Sequence, residues 1–180
     1  MFQVLDRILN ILQFVIGALI ISLKKVKKEI MLKYFTISSF IFLLDQITKT
    51  LIVKNIPETN FILINSFFKL VNFKNEGAAF SILSNAGGWQ RYFLSLVALT
   101  ASVVIIFLIK KHKKEFLIAL GLSLILGGAL GNLYDRVILG YVIDFLYFHI
   151  QDYYWPAFNI ADTSICLGAG ILIYTQFVKK

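Results

Sequence analysis

The sequence is poor in charged residues and has a single cysteine. Charged residues make up 16% of its 180 residues and hydrophobic residues 58%, whereas a soluble chain is about 25% charged and about 45–50% apolar. This composition and a mean hydropathy of +0.78 exclude a soluble enzyme, a disordered tail and a nucleic-acid-binding module. The lone Cys166 excludes an internal disulfide and a metal site built from cysteines. The chain is therefore predicted to be an integral membrane protein.

Four apolar runs are each long enough to cross a hydrocarbon core about 30 Å thick. They cover residues of about 35–53, 92–109, 116–134 and 160–178. These runs predict an all-α membrane protein with four transmembrane helices, contained in a unit of residues 31–180.

A weaker apolar run lies at about residues 8–23, inside an N-terminal extension of residues 1–30. No small-residue cleavage site precedes Lys24, so a cleaved signal peptide is not expected. We expect an additional hydrophobic helix embedded in the membrane here, in preference to a disordered leader. An interfacial helix and a natural chain start at Met31 are the alternatives that the residues leave open.

Lysine clusters predict the orientation of the helices, because Lys and Arg near helix ends stay cytoplasmic. Such clusters lie before the first run, between the second and third, and after the fourth. They fall within residues 24–33, 110–114 and 179–180. Both ends of the four-helix unit are therefore predicted to be cytoplasmic, and the loops of residues 54–91 and 137–159 are predicted to lie outside.

The first outer loop is too long to be a plain connector. Between Pro57 and Gly77 it is rich in β-branched and aromatic residues, a pattern that favours short strands. We therefore expect a small β-containing region on the extracytoplasmic surface of the membrane.

Four acidic residues fall at or near one predicted membrane depth. Asp45 lies inside the first helix, one turn before Lys49, and Asp135 ends the third helix. Asp144 follows in the second outer loop, and Asp162 starts the fourth helix. A carboxylate in or near hydrocarbon is costly and by default marks a functional site. Four of them at one face predict a shared site.

Carboxylates without other reactive groups restrict the chemistry of this site. His112 lies in a cytoplasmic loop and His149 is alone on the outer side, so neither a nucleophile–base set nor a zinc site is expected. Paired aspartates suit aspartic-protease chemistry, in which two close carboxyls share one proton. The ionised one takes a proton from water while the protonated one polarises the peptide carbonyl. Neither a metal nor a cofactor is required.

Five sequence blocks occur in a specific order along the chain. They are DQITK (45–49), NEGAAFS (75–81), GGALGNLYDR (127–136), GYVIDF (140–145) and FNIADTSI (158–165). In this order they resemble the motif blocks of the lipoprotein signal peptidases, the signal peptidase II family. The resemblance implies an aspartic endopeptidase of the bacterial cytoplasmic (inner) membrane. Such an enzyme cleaves diacylglyceryl-modified prolipoproteins just before the lipidated cysteine, with its active site near the outer face.

The resemblance maps the family's catalytic dyad onto Asp144 and Asp162. The residues alone leave the pair of Asp135 with Asp162 open. Arg136 stands beside Asp135 in the sequence, and a nearby cation favours a permanently ionised carboxylate, whereas a dyad needs one carboxyl that keeps its proton. We therefore expect Asp144 and Asp162 to be catalytic and Asp135 to be a structural acid.

Other positions of the matching blocks are expected to support the dyad. Asn75, Asn132 and Arg136 are expected to hydrogen-bond the substrate backbone or its lipid-modified cysteine. Asn159 stands three residues before Asp162, which is the spacing of an N-cap that orders a helix start.

Three further positions have simpler expected roles. Asp45 and Lys49 are four apart on one helical face, so an intrahelical ion pair is favoured over a direct part in catalysis. Gly77 allows the outer loop to turn or to approach another segment closely.

A transporter is the alternative from another class, namely a small proton- or ion-coupled protein that uses the carboxylates as a relay. Relays spread acids through the depth of the bilayer, whereas these four cluster at one face, and no inverted repeat is evident. The peptidase is the preferred hypothesis. Its expected partners are prolipoproteins and membrane lipid, without nucleic acid, and a monomer suffices for a site built within one chain.

Overall fold

The computed structural model describes residue 29 and residues 31–77 and 87–178. The N-terminal segment for which we expected an additional hydrophobic helix lies outside these residues. In chain order the described elements are α1 (Met31–Asn55), β1 (Ile62–Asn65), β2 (Phe68–Asn75), α2 (Trp89–His112), α3 (Phe116–Ile138), β3 (Val142–Ile150), β4 (Tyr153–Tyr154) and α4 (Ile160–Val178).

All four helices are long and apolar enough to cross a membrane. Large apolar side chains such as Phe40, Phe107 and Leu167 stay exposed on them, as expected of surfaces that contact lipid. The prediction of four apolar helices is confirmed. The helices α1, α2 and α3 extend past the apolar runs, and α3 continues through Asp135 and Arg136 to Ile138. Its polar last turn stays helical because its side chains find partners within the protein.

The four strands form one antiparallel sheet in the order β1-β2-β3-β4. The strands expected in the first outer loop are β1 and β2. The second outer loop supplies β3 and β4, which the sequence analysis did not foresee. In β3 the buried residues run consecutively from Val142 to Phe145, so the strand lacks the apolar–polar alternation by which a half-buried strand is recognised. The register places Asp144 opposite Phe73.

Two small apolar cores join these elements. Between α1, α2 and α3 a core forms from Tyr34, Ile105, Ile109, Ala119, Leu122 and Leu126. A second core attaches the end of α1 to β3, and it contains Ile52, Ile56, Ile143 and Phe145. This second core fixes the sheet over the end of the bundle at which the predicted site residues lie.

Glycines in α3 let two neighbouring helices approach its backbone. A methyl group at Gly128 would run into the carbonyl oxygen of Ala161 and would lie 2.6 Å from Ser164 Oγ. A methyl group at Gly131 would lie 2.6 Å from the Asp45 carboxylate. Small residues at helix interfaces serve this purpose in membranes. The close approach brings the first turn of α4 against the segment of α3 that carries Asn132.

Candidate active site

Asp144 is buried on β3, with 4% of its surface exposed. Its Oδ1 accepts a hydrogen bond from Asn159 Nδ2 at 2.7 Å, and its Oδ2 accepts one from Asn75 Nδ2 at 2.9 Å. The pKa of Asp144 is raised to about 7, first by burial and second by the negative charge of Asp162. The two amide donors act in the opposite direction. A large fraction of the molecules therefore keep this carboxyl protonated at neutral pH.

Asp162 lies in the first turn of α4 and is partly exposed. Its Oδ1 accepts a hydrogen bond from Asn132 Nδ2 at 2.7 Å, and its Oδ2 accepts a weaker one from the Asn159 backbone N–H at 3.3 Å. In return, Asn159 Oδ1 accepts the Asp162 backbone N–H at 2.9 Å. Asn159 thus caps α4 at the predicted spacing. The positive end of the helix dipole favours a negative charge on Asp162.

Asn159 connects the two acids. Its side chain is fully buried and donates to Asp144, while its backbone N–H donates to Asp162. The side-chain Nδ2 of Asn159 also lies 3.3 Å from Asn132 Oδ1 and from the Ile143 carbonyl oxygen. One asparagine therefore holds both carboxyl groups, and the structure brings Asp144 and Asp162 into a single site.

Asn75 and Arg136 hold the segment that follows β2. The Gly77 N–H donates to Asn75 Oδ1 at 2.9 Å, which closes a tight turn, and Arg136 Nη2 donates to the Gly77 carbonyl oxygen at 2.9 Å. Arg136 Nη1 also reaches the Asn132 carbonyl oxygen at 3.4 Å. These contacts keep Asn75 beside Asp144. The direct contacts with substrate that we expected of Asn75, Asn132 and Arg136 stay a prediction.

Asp45, Lys49 and Asp135 form a buried ionic cluster beneath the two acids. Lys49 Nζ lies 2.8 Å from Asp45 Oδ2, so the predicted intrahelical pair is present. It also lies 2.8 Å from Asp135 Oδ2. The direct ion-pair partner of Asp135 is therefore Lys49, and Arg136 acts on Asp135 electrostatically without pairing with it directly. Residues i and i+1 of a helix do not face the same side, so Arg136 points toward Gly77 instead.

Three hydrogen bonds of this cluster involve α1 and were not foreseen. Gln46 Nε2 donates to Asp135 Oδ1 at 2.9 Å and to Asp45 Oδ2 at 3.1 Å. The Ala161 N–H donates to Asp45 Oδ1 at 2.9 Å, which ties α1 to the start of α4. Gln46 stands inside the DQITK block, so its position in the sequence was the available signal. Ala161 stands inside the FNIADTSI block, so the same signal was available for it.

Arg91 is a second residue that the sequence reasoning missed. Its Nε donates to the Arg136 carbonyl oxygen at 2.7 Å and its Nη2 to the Val137 carbonyl oxygen at 2.6 Å. The last carbonyl groups of a helix have no partner within the helix. Arg91 on α2 therefore caps α3 directly behind the residues that α3 contributes to the site.

The site as a whole offers acid–base chemistry by carboxyl groups. The pKa of one carboxyl is raised to about 7, and the other carboxyl lies at a helix N-terminus that favours its negative charge. In the described part of the chain, no group of three or more histidine, cysteine, aspartate or glutamate side chains is placed to hold a metal ion. The fold and this site define the class, which is a multi-pass membrane protein with paired aspartyl groups at one end of its helices.

Comparison with known proteins identifies the family. A model of the signal peptidase II family matches residues 37–178. A lipoprotein signal peptidase of Teredinibacter turnerae is 50% identical over 79% of this chain and 86% of the relative. One of a Janthinobacterium species is 49% identical over 81% of this chain and 88% of the relative. The chain belongs to the signal peptidase II family.

A solved structure agrees with this assignment. A bacterial membrane enzyme determined by the in meso method at 2.3 Å resolution matches with a TM-score of 0.73 and 29% identity, over 81% of this chain and 87% of that one. Family membership and the four apolar helices make the protein a multi-pass bacterial membrane peptidase. They do not favour the transporter that we weighed as the alternative.

Proposed function

We propose that Asp144 and Asp162 are the catalytic pair with which this lipoprotein signal peptidase cleaves its prolipoprotein substrates. The observation that supports the pair is their shared partner, Asn159, which donates to both carboxyl groups. Asp45 and Asp135 are instead both paired with Lys49. The oxygens of these two carboxyl groups are therefore engaged by the ammonium group within the protein.

The two carboxyls divide the work according to their surroundings. Asp162, partly exposed and at a helix N-terminus, is the ionised base that takes a proton from a water molecule. The water oxygen then bonds to the carbon of the scissile carbonyl while Asp144 gives its proton to the carbonyl oxygen. When the tetrahedral intermediate breaks down, one of its hydroxyl protons returns to Asp144, the C–N bond is cleaved, and the leaving amine takes the proton held by Asp162. Two close carboxyls with one proton between them suit this exchange.

The site is proposed to face the extracytoplasmic side of the membrane. Four lysines at the end of α2 and in the α2–α3 connection, at positions 110, 111, 113 and 114, lie at the opposite end of α3 from Asp135 and mark the cytoplasmic end. The sheet then lies along the outer surface, where exposed Phe61, Phe67 and Trp155 sit at the head-group level. One chain supplies every side chain of the site, so a monomer suffices.

This location supports the substrate class that the family name implies. A peptide bond just before a diacylglyceryl cysteine lies at the head-group depth when the lipid chains and the signal helix are in the bilayer. We expect the purified protein in detergent to cleave a diacylglyceryl-prolipoprotein and to leave the same chain without lipid intact. The measurement is a gel-shift assay. Equal cleavage of both substrates would contradict the lipid requirement, and no cleavage by well-folded protein would contradict the peptidase.

The pH dependence of cleavage follows from the state of Asp144. Since its pKa is raised to about 7, the protonated form is lost as the pH rises through that value, and kcat/KM falls on the alkaline side. Asn75 donates to the ionised carboxylate and so lowers this pKa. Asn75→Ala removes that donor, the pKa rises further, and the alkaline limb moves to higher pH. The measurement is a pH profile of kcat/KM for both proteins.

A matched variant controls for the loss of an asparagine in the outer loop. Asn60 is exposed between α1 and β1, and we expect Asn60→Ala to keep the wild-type profile. An alkaline limb that stays in place or moves to lower pH in Asn75→Ala would show that Asp144 is not the protonated partner.

A further inference from the structure

Lys49 is an unusual residue for the interior of a membrane-spanning helix, because only 1% of its surface is exposed. Lysine is almost never fully buried unless it is paired. Its ammonium group has two carboxylate partners, Asp45 and Asp135, each at 2.8 Å. It also donates a third hydrogen bond, to Asn132 Oδ1 at 3.1 Å. The two carboxylates accept two of its three N–H donors, so the third donor is directed at Asn132.

The third contact decides which way the Asn132 amide points. An asparagine side chain ends in an oxygen that accepts and a nitrogen that donates, whereas a lysine ammonium group only donates. Asn132 must therefore turn its oxygen toward Lys49. The same oxygen lies 3.3 Å from Asn159 Nδ2, which is also a donor. The Asn132 nitrogen is then left facing Asp162 Oδ1 at 2.7 Å.

The opposite orientation of the amide is excluded by the same groups. A flipped Asn132 would bring its NH₂ group against the ammonium of Lys49 and its oxygen against the carboxylate of Asp162. Both contacts would be repulsive, in a buried site where unpaired polar groups are costly. We propose that Lys49 is a positioning residue whose ammonium group locks Asn132 so that its N–H is aimed at Asp162. This role rests on the proposed catalysis by Asp162.

A charge-matched double variant separates this role from simple neutralisation. The cluster of Asp45, Lys49 and Asp135 carries one net negative charge. Asp45→Asn together with Lys49→Met keeps that net charge, and an asparagine oxygen at position 45 still accepts the Ala161 N–H. The double variant therefore lacks the donor to Asn132 while the cluster keeps its net charge, and Asp135 keeps the hydrogen bonds from Gln46 Nε2 and the Ile143 N–H. Lys49→Met alone leaves both carboxylates unpaired, so its instability would reveal nothing about Asn132.

We expect the double variant to fold and to cleave lipidated prolipoprotein with kcat lowered about 10- to 100-fold, since loss of catalytic geometry has effects of this size. KM stays at the wild-type value because Lys49 lies beneath Asn132 and does not contact the substrate. Asp45→Asn alone, which keeps the donor to Asn132, retains more activity than the double variant. Melting temperature and gel filtration in detergent verify that each protein is folded.

Measuring the double change in an Asn132→Ala background tests whether Lys49 acts through Asn132. In an Asn132→Ala background the same double change should lower kcat less than twofold, because residues that act through one contact are not additive. Wild-type kcat in the double variant, or an undiminished loss in the Asn132→Ala background, would overturn the proposal. Asp162→Asn is measured beside them. If that variant kept wild-type activity, the catalytic assignment would fail, and this outcome is distinct from failure of the coupling.

Discussion

Replacing Asp162 with asparagine should reduce prolipoprotein cleavage by about 10²- to 10⁴-fold, which is the usual contribution of a positioned acid or base. Asp144→Asn should have an effect of the same size. An amide neither takes a proton from water nor gives one to a carbonyl oxygen, but it has the shape of the carboxyl group that it replaces. The measurement is the initial rate of the gel-shift assay with lipidated substrate.

The control for this prediction is another aspartate near the sheet. Asp152 is exposed in the turn between β3 and β4, so Asp152→Asn should keep the wild-type rate. Asp135→Asn belongs in the same series, because Asp135 was the competing partner for Asp162. Wild-type cleavage by folded Asp144→Asn, together with an inactive and folded Asp135→Asn, would move the dyad to Asp135 and Asp162.

Gly128→Ala should be the most damaging small substitution outside the acids. The added methyl group would meet the Ala161 carbonyl oxygen and Ser164 Oγ, so α3 and α4 must separate. Forcing an extra methyl into a tight contact destabilises a protein by about 1–3 kcal/mol. The separation also moves Asp162 away from Asn132, and a misplacement of about 1 Å lowers the rate by about 10²-fold. Melting temperature in detergent and the cleavage rate measure the two effects.

Gly170→Ala is the matched control for this substitution. Gly170 lies on α4 itself, and an added methyl group there meets nothing within 4 Å. Alanine is about 1 kcal/mol more favourable than glycine within a helix, so this variant should be as stable as the wild type or more stable, with full activity. A Gly128→Ala protein with wild-type melting temperature and rate would show that the two helices do not depend on this contact.

The helices were the most predictable part of the fold, since length and apolarity are properties of a continuous run of residues. Among the residues that the structure describes, the four expected apolar helices are present, and α4 matched its expected bounds at Ile160–Val178. The sheet was only half foreseen. A β-containing first outer loop was predicted, but its partner β3 was not, because strand pairing joins segments far apart in the sequence. Phe73 pairs with Asp144 across such a distance.

Most of the residues that the structure brings together at the site could also be identified from the sequence. Rare carboxylates in apolar surroundings stand out, and the motif blocks contained Asn75, Asn132 and Asn159. Their partners were harder to foresee. The sequence neighbour Arg136 was taken as the cation beside Asp135, whereas Lys49 from another helix occupies that place. Adjacent residues on a helix point in different directions, so neighbours in the chain are often not neighbours in the site.

By itself, the sequence determined the class of protein and the four apolar helices. It also showed the polar residues whose placement in apolar surroundings is costly. Only the tertiary structure decided which carboxyl groups share Asn159 as a donor, which ones pair with Lys49, and that the pKa of Asp144 is raised. The physical reason is that protonation depends on burial and on donors brought from other segments. Asp144 receives its donors from Asn75 and Asn159, which lie on different elements, and their meeting is a property of the packed fold.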